Sequence, residues 1–170
     1  GNPTWSFVYR EAIRDLRDRF RCIALDYPAF GLSTAGPGFG SRPEEHAAAV
    51  IGFIDALGLE GITLVAQDWG GPIGLAAAIA RPEAFDRLIL GNTWAWPVNG
   101  NRHFERFSRL MGGALGRMLI RRVNLIVNVM IPAGHRLRKV SRAEMTHYRR
   151  ALGSVDRRAA AAVLPGCIIS

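Results

Sequence analysis

The sequence predicts an α/β fold in which a partial parallel sheet, flanked by helices, is followed by a region of helices alone. Through residues 1–96, helical patterns alternate with short apolar strands and short links, which is typical of parallel sheets with right-handed crossovers. The apolar run Ile62–Ala66 leads into an acid flanked by glycines and then into a helix. After Pro97 only helical patterns follow. We therefore expect a partial α/β core over 1–96 and the beginning of a helical domain over 97–170.

The composition is that of an ordinary globular protein, with 49% hydrophobic and 21% charged residues among 170. The chain starts at Gly1 without a Met and stops soon after a Pro-Gly pair, so we expect a fragment of a longer chain. Its two cysteines, Cys22 and Cys167, make no disulfide framework, which favours a reducing, cytoplasmic compartment. The apolar stretch 110–131 is interrupted by three arginines, so we expect no membrane span.

The positive charge is concentrated in the second part of the chain. The net charge is +8, with 8 basic and 11 acidic residues over 1–96 but 14 basic and 3 acidic residues over 97–170. Clustered arginines can contact phosphates, yet the sequence has no zinc spacing or other nucleic-acid recognition motif. We therefore expect a solvated helical surface and no nucleic-acid partner, and no metal or cofactor.

The first predicted elements are a helix and a short strand. The helix is predicted over 5–19, because apolar residues recur at three- to five-residue spacing and Thr4 is a suitable N-cap. The strand Phe20–Leu25 follows and ends in a Gly- and Pro-rich loop over 26–41. Loops at the carboxyl ends of strands form binding sites in α/β folds, so we expect site residues in this loop.

A second helix is predicted from Pro43, which suits a first helical position, to Leu57. Ser41 and Glu44 have the spacing of a capping box, and Gly58 is a suitable stop.

The central motif is a strand, a sharp turn and a helix with Asp68 at the apex of the turn. Ala66, Gly70 and Gly71 are small enough to let strand and helix pass closely. An aspartate at such an apex can act as a carboxylate nucleophile, and its attack leaves an ester on the protein. This chemistry suits carbon–halogen and epoxide bonds.

The remaining elements are a third strand and a series of helices. The strand is predicted over Arg87–Leu90, after Pro82 closes the preceding helix. Later helices are predicted around 104–111, over Leu115–Met130 and over Glu144–Leu152, the last with Ser141 as its cap.

Three motifs resemble the haloalkane dehalogenase family of the α/β-hydrolase fold, and the resemblance extends over nearly the whole chain. They are Gly1-Asn2-Pro3-Thr4-Trp5, Asp26-Tyr27-Pro28-Ala29-Phe30-Gly31-Leu32-Ser33 and Gln67-Asp68-Trp69-Gly70-Gly71, in the family's order. The resemblance implies a partial α/β-hydrolase core followed by the start of the helical cap domain that covers the site.

The resemblance also implies a role for each site residue. Asp68 is the catalytic nucleophile, and the Asn2 amide and the Trp69 indole N–H stabilise the departing halide. The backbone N–H groups of Asn2 and Trp69 take the family's oxyanion-hole positions. Trp94 and Trp96 either line the pocket or anchor the packing, and the sequence does not decide between these roles.

Two positions depart from the family pattern. Ala29 stands where the family usually has Gly, so we expect a strained or shifted loop. Asn92 stands where one branch of the family has its catalytic Glu, so the resemblance implies that the catalytic acid and the His base lie beyond Ser170. His46, His103, His135 and His147 are then interpreted as surface histidines.

The predicted function is hydrolysis of carbon–halogen bonds in a small halogenated organic substrate through an alkyl ester on Asp68, with water as the second reactant. Because the resemblance places the acid and the base beyond Ser170, we expect the 170-residue chain alone to be inactive in turnover. An epoxide hydrolase is the nearest alternative, although Gln67 and Asn2 favour a halide. A non-catalytic remnant is a second alternative, because no base is recognised in the chain. The oligomeric state is not specified by the sequence.

Overall fold

The computed structural model describes residues 1–135 and 137–169. The two strands in these ranges are β1 (Ile62–Gln67) and β2 (Phe85–Gly91). The α-helices are α1 (Arg10–Leu16), α2 (Pro43–Leu57), α3 (Gly70–Ala80), α4 (Arg102–Gly112), α5 (Ala114–Val123), α6 (Ile131–Gly134), α7 (Arg142–Ala151) and α8 (Arg157–Val163). Short 3-10 helices lie at Ser6–Tyr9, Pro82–Ala84 and Leu164–Ile169, and a π-helical turn lies at Ile126–Met130. Among these helices none is long and apolar enough to cross a membrane.

The two strands form a parallel sheet and are connected through α3. Their register runs from Ile62 opposite Phe85 to Gln67 opposite Gly91, with one irregularity after Ile62. The parallel pairing and the intervening helix confirm the predicted α/β fold.

The predicted strand Phe20–Leu25 is wrong, because this segment has no strand assignment in the structure. A strand exists only when its N–H and C=O groups pair with a neighbour. β1 and β2 pair with each other, and the described residues provide no partner for 20–25. Phe20 is accordingly 60% exposed.

The N-terminal segment is helical, but it begins differently from the prediction. A 3-10 helix over Ser6–Tyr9 precedes α1, in place of one helix over 5–19. Trp5, not Thr4, takes the N-cap position. Thr4 instead donates its N–H and its hydroxyl to the carbonyl of Gly1, at 2.7 and 2.8 Å. The hydroxyl is therefore used to close the first turn of the chain.

Helix α2 has the predicted bounds and ends at Gly58, which has a left-handed φ of +55°. The predicted capping pair of Ser41 and Glu44 is wrong by one residue. The carboxylate of Glu45 accepts the N–H of the N-cap residue Arg42 at 2.9 Å.

The predicted single helix over Leu115–Met130 is interrupted at Asn124, whose φ is +54°. Asparagine tolerates this conformation better than most residues, and its side-chain amide donates to the carbonyl of Leu152 at 3.4 Å. Ser141 caps α7 as predicted. Helix α8 and the 3-10 helix after it were not predicted, although the alanine run of α8 has a high helix propensity.

One hydrophobic core joins the sheet region to the helices that follow it. Trp69 and Ile73, at the start of α3, belong to the same buried cluster as Met111, Ile126 and Leu164. The helices after Pro97 therefore pack directly on the elements that carry Asp68. The division into a core over 1–96 and a helical domain over 97–170 stays a prediction.

Candidate active site

Asp68 occupies the turn between β1 and α3 in a left-handed conformation, with φ of +54°. This conformation costs a non-glycine residue about 1–2 kcal/mol. Three hydrogen bonds hold it in place. The Asp68 N–H donates to the Asn92 carbonyl at 3.0 Å, and the Asp68 carbonyl accepts from the Gly71 N–H at 3.0 Å and from the Thr93 hydroxyl at 2.6 Å. The turn is thus fixed both to its own helix and to the end of β2.

The small residues predicted around Asp68 are not equally required. A Cβ added at Gly71 would lie 1.8 Å from Oγ1 of Thr93, which is a severe clash. A Cβ added at Gly70 would lie 3.7 Å from the Cβ of Ala66, its nearest neighbour, which is ordinary contact. Gly71 is therefore the position at which helix and strand ends approach most closely.

The first loop of the chain brings Asn2 to the nucleophile. The backbone N–H of Asn2 donates to Oδ2 of Asp68 at 2.7 Å. The side-chain amide of Asn2 donates one N–H to the carbonyl of Ala161 in α8, at 3.0 Å. An amide nitrogen carries two N–H groups, so one remains for a ligand. Asn2 therefore links Asp68 to the helical region.

Trp69 is 5% exposed and stands at the N-cap of α3, where backbone N–H groups lack partners within the helix. Its ring meets that of Trp94 edge to face, with centroids 5.0 Å apart. Trp96 is 66% exposed and lies outside this contact. The structure thus brings Trp69 and Trp94 together but not Trp96, and pocket roles for Trp94 and Trp96 stay predictions.

Two tyrosines that the sequence analysis missed lie near Asp68. Burial raises the pKa of Tyr27 well above its usual range, and the neighbouring Tyr9 and the Asp68 carboxylate raise it further. Burial and the Asp68 charge also raise the pKa of Tyr9. Both phenols therefore stay protonated at neutral pH. Tyr27 belongs to the second family motif, which could have drawn attention to it, whereas nothing in the sequence marks Tyr9.

The prediction of a surface position for His46 is wrong. His46 is 0% exposed and is surrounded by Tyr27, Phe30 and Phe39, with ring centroids 5.3, 5.7 and 5.1 Å away. Burial lowers the pKa of the imidazole against the smaller raising effects of the Glu45 charge and of the Ser41 backbone. His46 is thus a neutral core residue at neutral pH. Its helix turn faces the folded loop over 26–41, and the sequence does not show this packing.

The other three histidines, His103, His135 and His147, are exposed as predicted. No histidine in the described parts of the chain hydrogen-bonds to Asp68. These parts also contain no group of three or more His, Cys, Asp or Glu side chains that could hold a metal ion.

The loop over 26–41 contains the strain expected at Ala29. Its φ is +68°, a conformation that suits glycine and costs alanine free energy.

Two clefts of about 300 and 170 Å³ lie away from Asp68, one beside Arg149 and Arg158 and the other beside Arg10 and Glu144. The candidate site is therefore defined by the contacts of Asp68 rather than by cavity size.

Comparison with known proteins agrees with the α/β-hydrolase resemblance of the sequence. Residues 1–125 match the family model described as alpha/beta hydrolase fold. Haloalkane dehalogenase 2 of Mycobacterium tuberculosis is 44% identical over 170 residues, which are 100% of this chain and 59% of that protein. A cis-3-alkyl-4-alkyloxetan-2-one decarboxylase of Shewanella oneidensis is 32% identical over 154 residues, covering 88% of this chain and 47% of that protein.

A solved structure, that of haloalkane dehalogenase DbeA from Bradyrhizobium elkani, superposes with a TM-score of 0.87 at 27% identity. The superposition covers 99% of this chain and 60% of the other. The chain thus spans about three fifths of the length of the dehalogenases that it matches. With the strand, turn and helix around Asp68 and a family model matching most of its length, the chain belongs to the α/β-hydrolase fold family, within which it is similar to the haloalkane dehalogenases.

Proposed function

We propose that this chain is part of a hydrolase that cleaves carbon–halogen bonds through an alkyl ester on Asp68. The observation that carries the proposal is the setting of Asp68, which is held at the strand–helix turn with the Asn2 N–H on Oδ2. No described residue hydrogen-bonds to the other carboxylate oxygen, Oδ1, which is then the attacking atom. Carboxylates act as nucleophiles of this kind when they are fixed in position.

In the proposed step, Oδ1 of Asp68 forms a bond to the carbon that bears the halogen. The electron pair of the carbon–halogen bond leaves with the halide. The indole N–H of Trp69 and the free amide N–H of Asn2 are the proposed donors to this anion, and such donors are strongest in a site from which water is excluded. The burial of Trp69 supports this role.

The second step is hydrolysis of the ester, in which water adds to the ester carbonyl and an oxyanion forms. The backbone N–H groups of Asn2 and Trp69 are its proposed donors. Water needs a general base for this attack, and the positions of the described histidines offer none at Asp68. We therefore propose that the 170-residue chain alone releases at most one halide per molecule. A cytoplasmic location stays a prediction.

The names of the relatives favour a halogenated substrate over the alternatives. The dehalogenase relative is 44% identical and the oxetanone decarboxylase relative is 32% identical, so a lactone is the second candidate substrate. An epoxide is the alternative substrate that the sequence motifs leave open. A non-catalytic remnant, in which Asp68 does not react, is the other alternative.

The test is a single incubation of the chain with 1-bromobutane, followed by mass spectrometry of the peptide containing Asp68. We expect one butyl group on this peptide and up to one bromide per chain, because alkylation needs only the nucleophile and the halide donors. Asp68→Ala should remove both signals. Parallel incubations use an alkyl epoxide and a cis-dialkyl oxetanone. Reaction of Asp68 with either of these but not with the bromide would contradict the proposal, as would absence of any adduct on a folded chain.

A further inference from the structure

Asp26 ties two loops together through both of its carboxylate oxygens. Oδ1 accepts the backbone N–H of Ser6 at 2.6 Å, and Oδ2 accepts the backbone N–H of Leu32 at 2.9 Å. The Asp26 carbonyl accepts the hydroxyl of Ser33 at 2.8 Å. This acid therefore joins the first loop of the chain to the loop over 26–41.

The two loops are closely packed against each other at Asp26. Gly31 has φ of +54°, and a Cβ added there would lie 2.3 Å from Oδ2 of Asp26 and 2.7 Å from the Cβ of Trp5. The carbonyl of Gly31 accepts a hydrogen bond from the guanidinium of Arg157 in α8, at 2.9 Å. Arg157 thus links α8 to the loop over 26–41 at the point where that loop contacts Asp26.

The first loop of the chain connects Ser6, which Asp26 holds, to Asn2. Between them, Thr4 donates its N–H and its hydroxyl to the Gly1 carbonyl, which makes the loop a closed turn. At the far end of the turn, the N–H of Asn2 donates to Asp68. The segment 1–6 is therefore fixed at one end by the nucleophile and at the other end by Asp26.

We propose that Asp26 is a positioning residue for the reaction at Asp68. By holding Ser6, it sets the position of Asn2, whose backbone and amide N–H groups are the donors of the proposed site. The inference rests on the proposed function for its kinetic effect, although the positional link itself does not depend on the substrate. Asp26 contacts no reacting atom and acts only through the loop.

Asp26→Asn is the sharpest variant, because the amide keeps the shape of the carboxylate but has one acceptor atom in place of two. Its NH2 group must then face one of the two N–H donors. Asp86→Asn is the matched control, because Asp86 is exposed and lies at the start of β2, at the opposite end of the strand from Asn92 and its contact with Asp68. The measurement is the rate of butyl addition to Asp68 as a function of 1-bromobutane concentration.

We expect the limiting rate of alkylation to fall about 10- to 100-fold in Asp26→Asn, since small misplacements of reacting groups have effects of this size. The concentration of half-saturation should change less than twofold, and Asp86→Asn should match the unmodified chain. A second readout is the backbone amide NMR signal of Asn2 in a chain labelled with 15N-asparagine. The chemical shift of this signal should change in Asp26→Asn and stay the same in Asp86→Asn.

An unchanged alkylation rate and an unchanged Asn2 signal in a folded Asp26→Asn chain would overturn the inference. If the unmodified chain forms no adduct, the proposed function fails, and the Asn2 signal alone then decides the positioning role. Should Asp26→Asn not fold, Ser6→Pro replaces it. This variant deletes the N–H that meets Asp26 and replaces the serine hydroxyl with the proline ring, at the first position of a 3-10 helix, where proline is tolerated. The same changes are expected, and their absence would again refute the role.

Discussion

The clash predicted at Gly71 offers a direct test of how the turn at Asp68 is held. In Gly71→Ala, the new methyl group would meet Oγ1 of Thr93 at 1.8 Å, so the Thr93 side chain must move. Thr93 then loses its hydrogen bond to the Asp68 carbonyl, at 2.6 Å in the structure.

The expected loss of stability follows from three contributions. Overpacking costs about 1–3 kcal/mol, and the lost hydrogen bond costs about 1 kcal/mol. The higher helix propensity of alanine returns up to about 1 kcal/mol in α3. The net effect is a decrease of about 1–4 kcal/mol in the free energy of unfolding for Gly71→Ala. Gly70→Ala is the matched control, and it should not lose stability, because its nearest neighbour is 3.7 Å away and alanine contributes up to about 1 kcal/mol of helix propensity there too.

A double variant separates the clash from other effects of the substitution. Thr93→Ala alone should cost about 1 kcal/mol, because it removes only the hydrogen bond and the methyl contacts. Combined with Gly71→Ala, it removes the clashes with Oγ1 and Cγ2 of Thr93 and leaves only the contact with Cβ at 2.8 Å, so the double variant should lose less stability than the sum of the two single variants. The assay is urea unfolding followed by circular dichroism and tryptophan fluorescence. Additive effects of the two substitutions, or a Gly71→Ala chain as stable as the Gly70→Ala chain, would refute this account of the turn.

Two further predictions concern strain and pH. Ala29→Gly should raise the free energy of unfolding by about 0.5–1 kcal/mol, because Ala29 has φ of +68°. The control Ala56→Gly, in the exposed part of α2, should lower the free energy of unfolding by about 1 kcal/mol. A loss of stability in Ala29→Gly would contradict the strain. Burial lowers the pKa of His46, so the unfolded chain takes up a proton at higher pH than the folded chain. Stability should be full above about pH 6.5 and fall by up to about 1.4 kcal/mol per pH unit below it. His46→Leu should reduce this slope and His103→Gln should not, as measured by urea unfolding at pH 5–8.

The features that sequence predicted well are those set by short-range chemistry. Asp68 and its small neighbours form a local motif, and the strain at Ala29 follows from one alanine at a position that suits glycine. The end of α2 at Gly58 and the cap of α7 at Ser141 are local signals of the same kind.

The features that sequence did not predict depend on contacts between distant segments. Whether Phe20–Leu25 becomes a strand depends on a pairing partner and not on its own apolar residues. The burial of His46 depends on how the loop over 26–41 folds over α2. The exposure of Trp96 and the approach of Tyr9 to Asp68 likewise depend on packing that no local pattern records.

The bond from the Asn2 amide to Ala161 has a consequence for how such proteins can be redesigned. Its acceptor is a main-chain carbonyl, so the side chain at 161 can be exchanged without deleting the contact. In a continuous helix this carbonyl would be taken by the N–H four residues later, but that residue is Pro165, which has no N–H to give. A library that varies the residues around the end of α8 should therefore leave Pro165 fixed and randomise its neighbours. This proline does not compete for the Ala161 carbonyl, which accepts the hydrogen bond from the Asn2 amide.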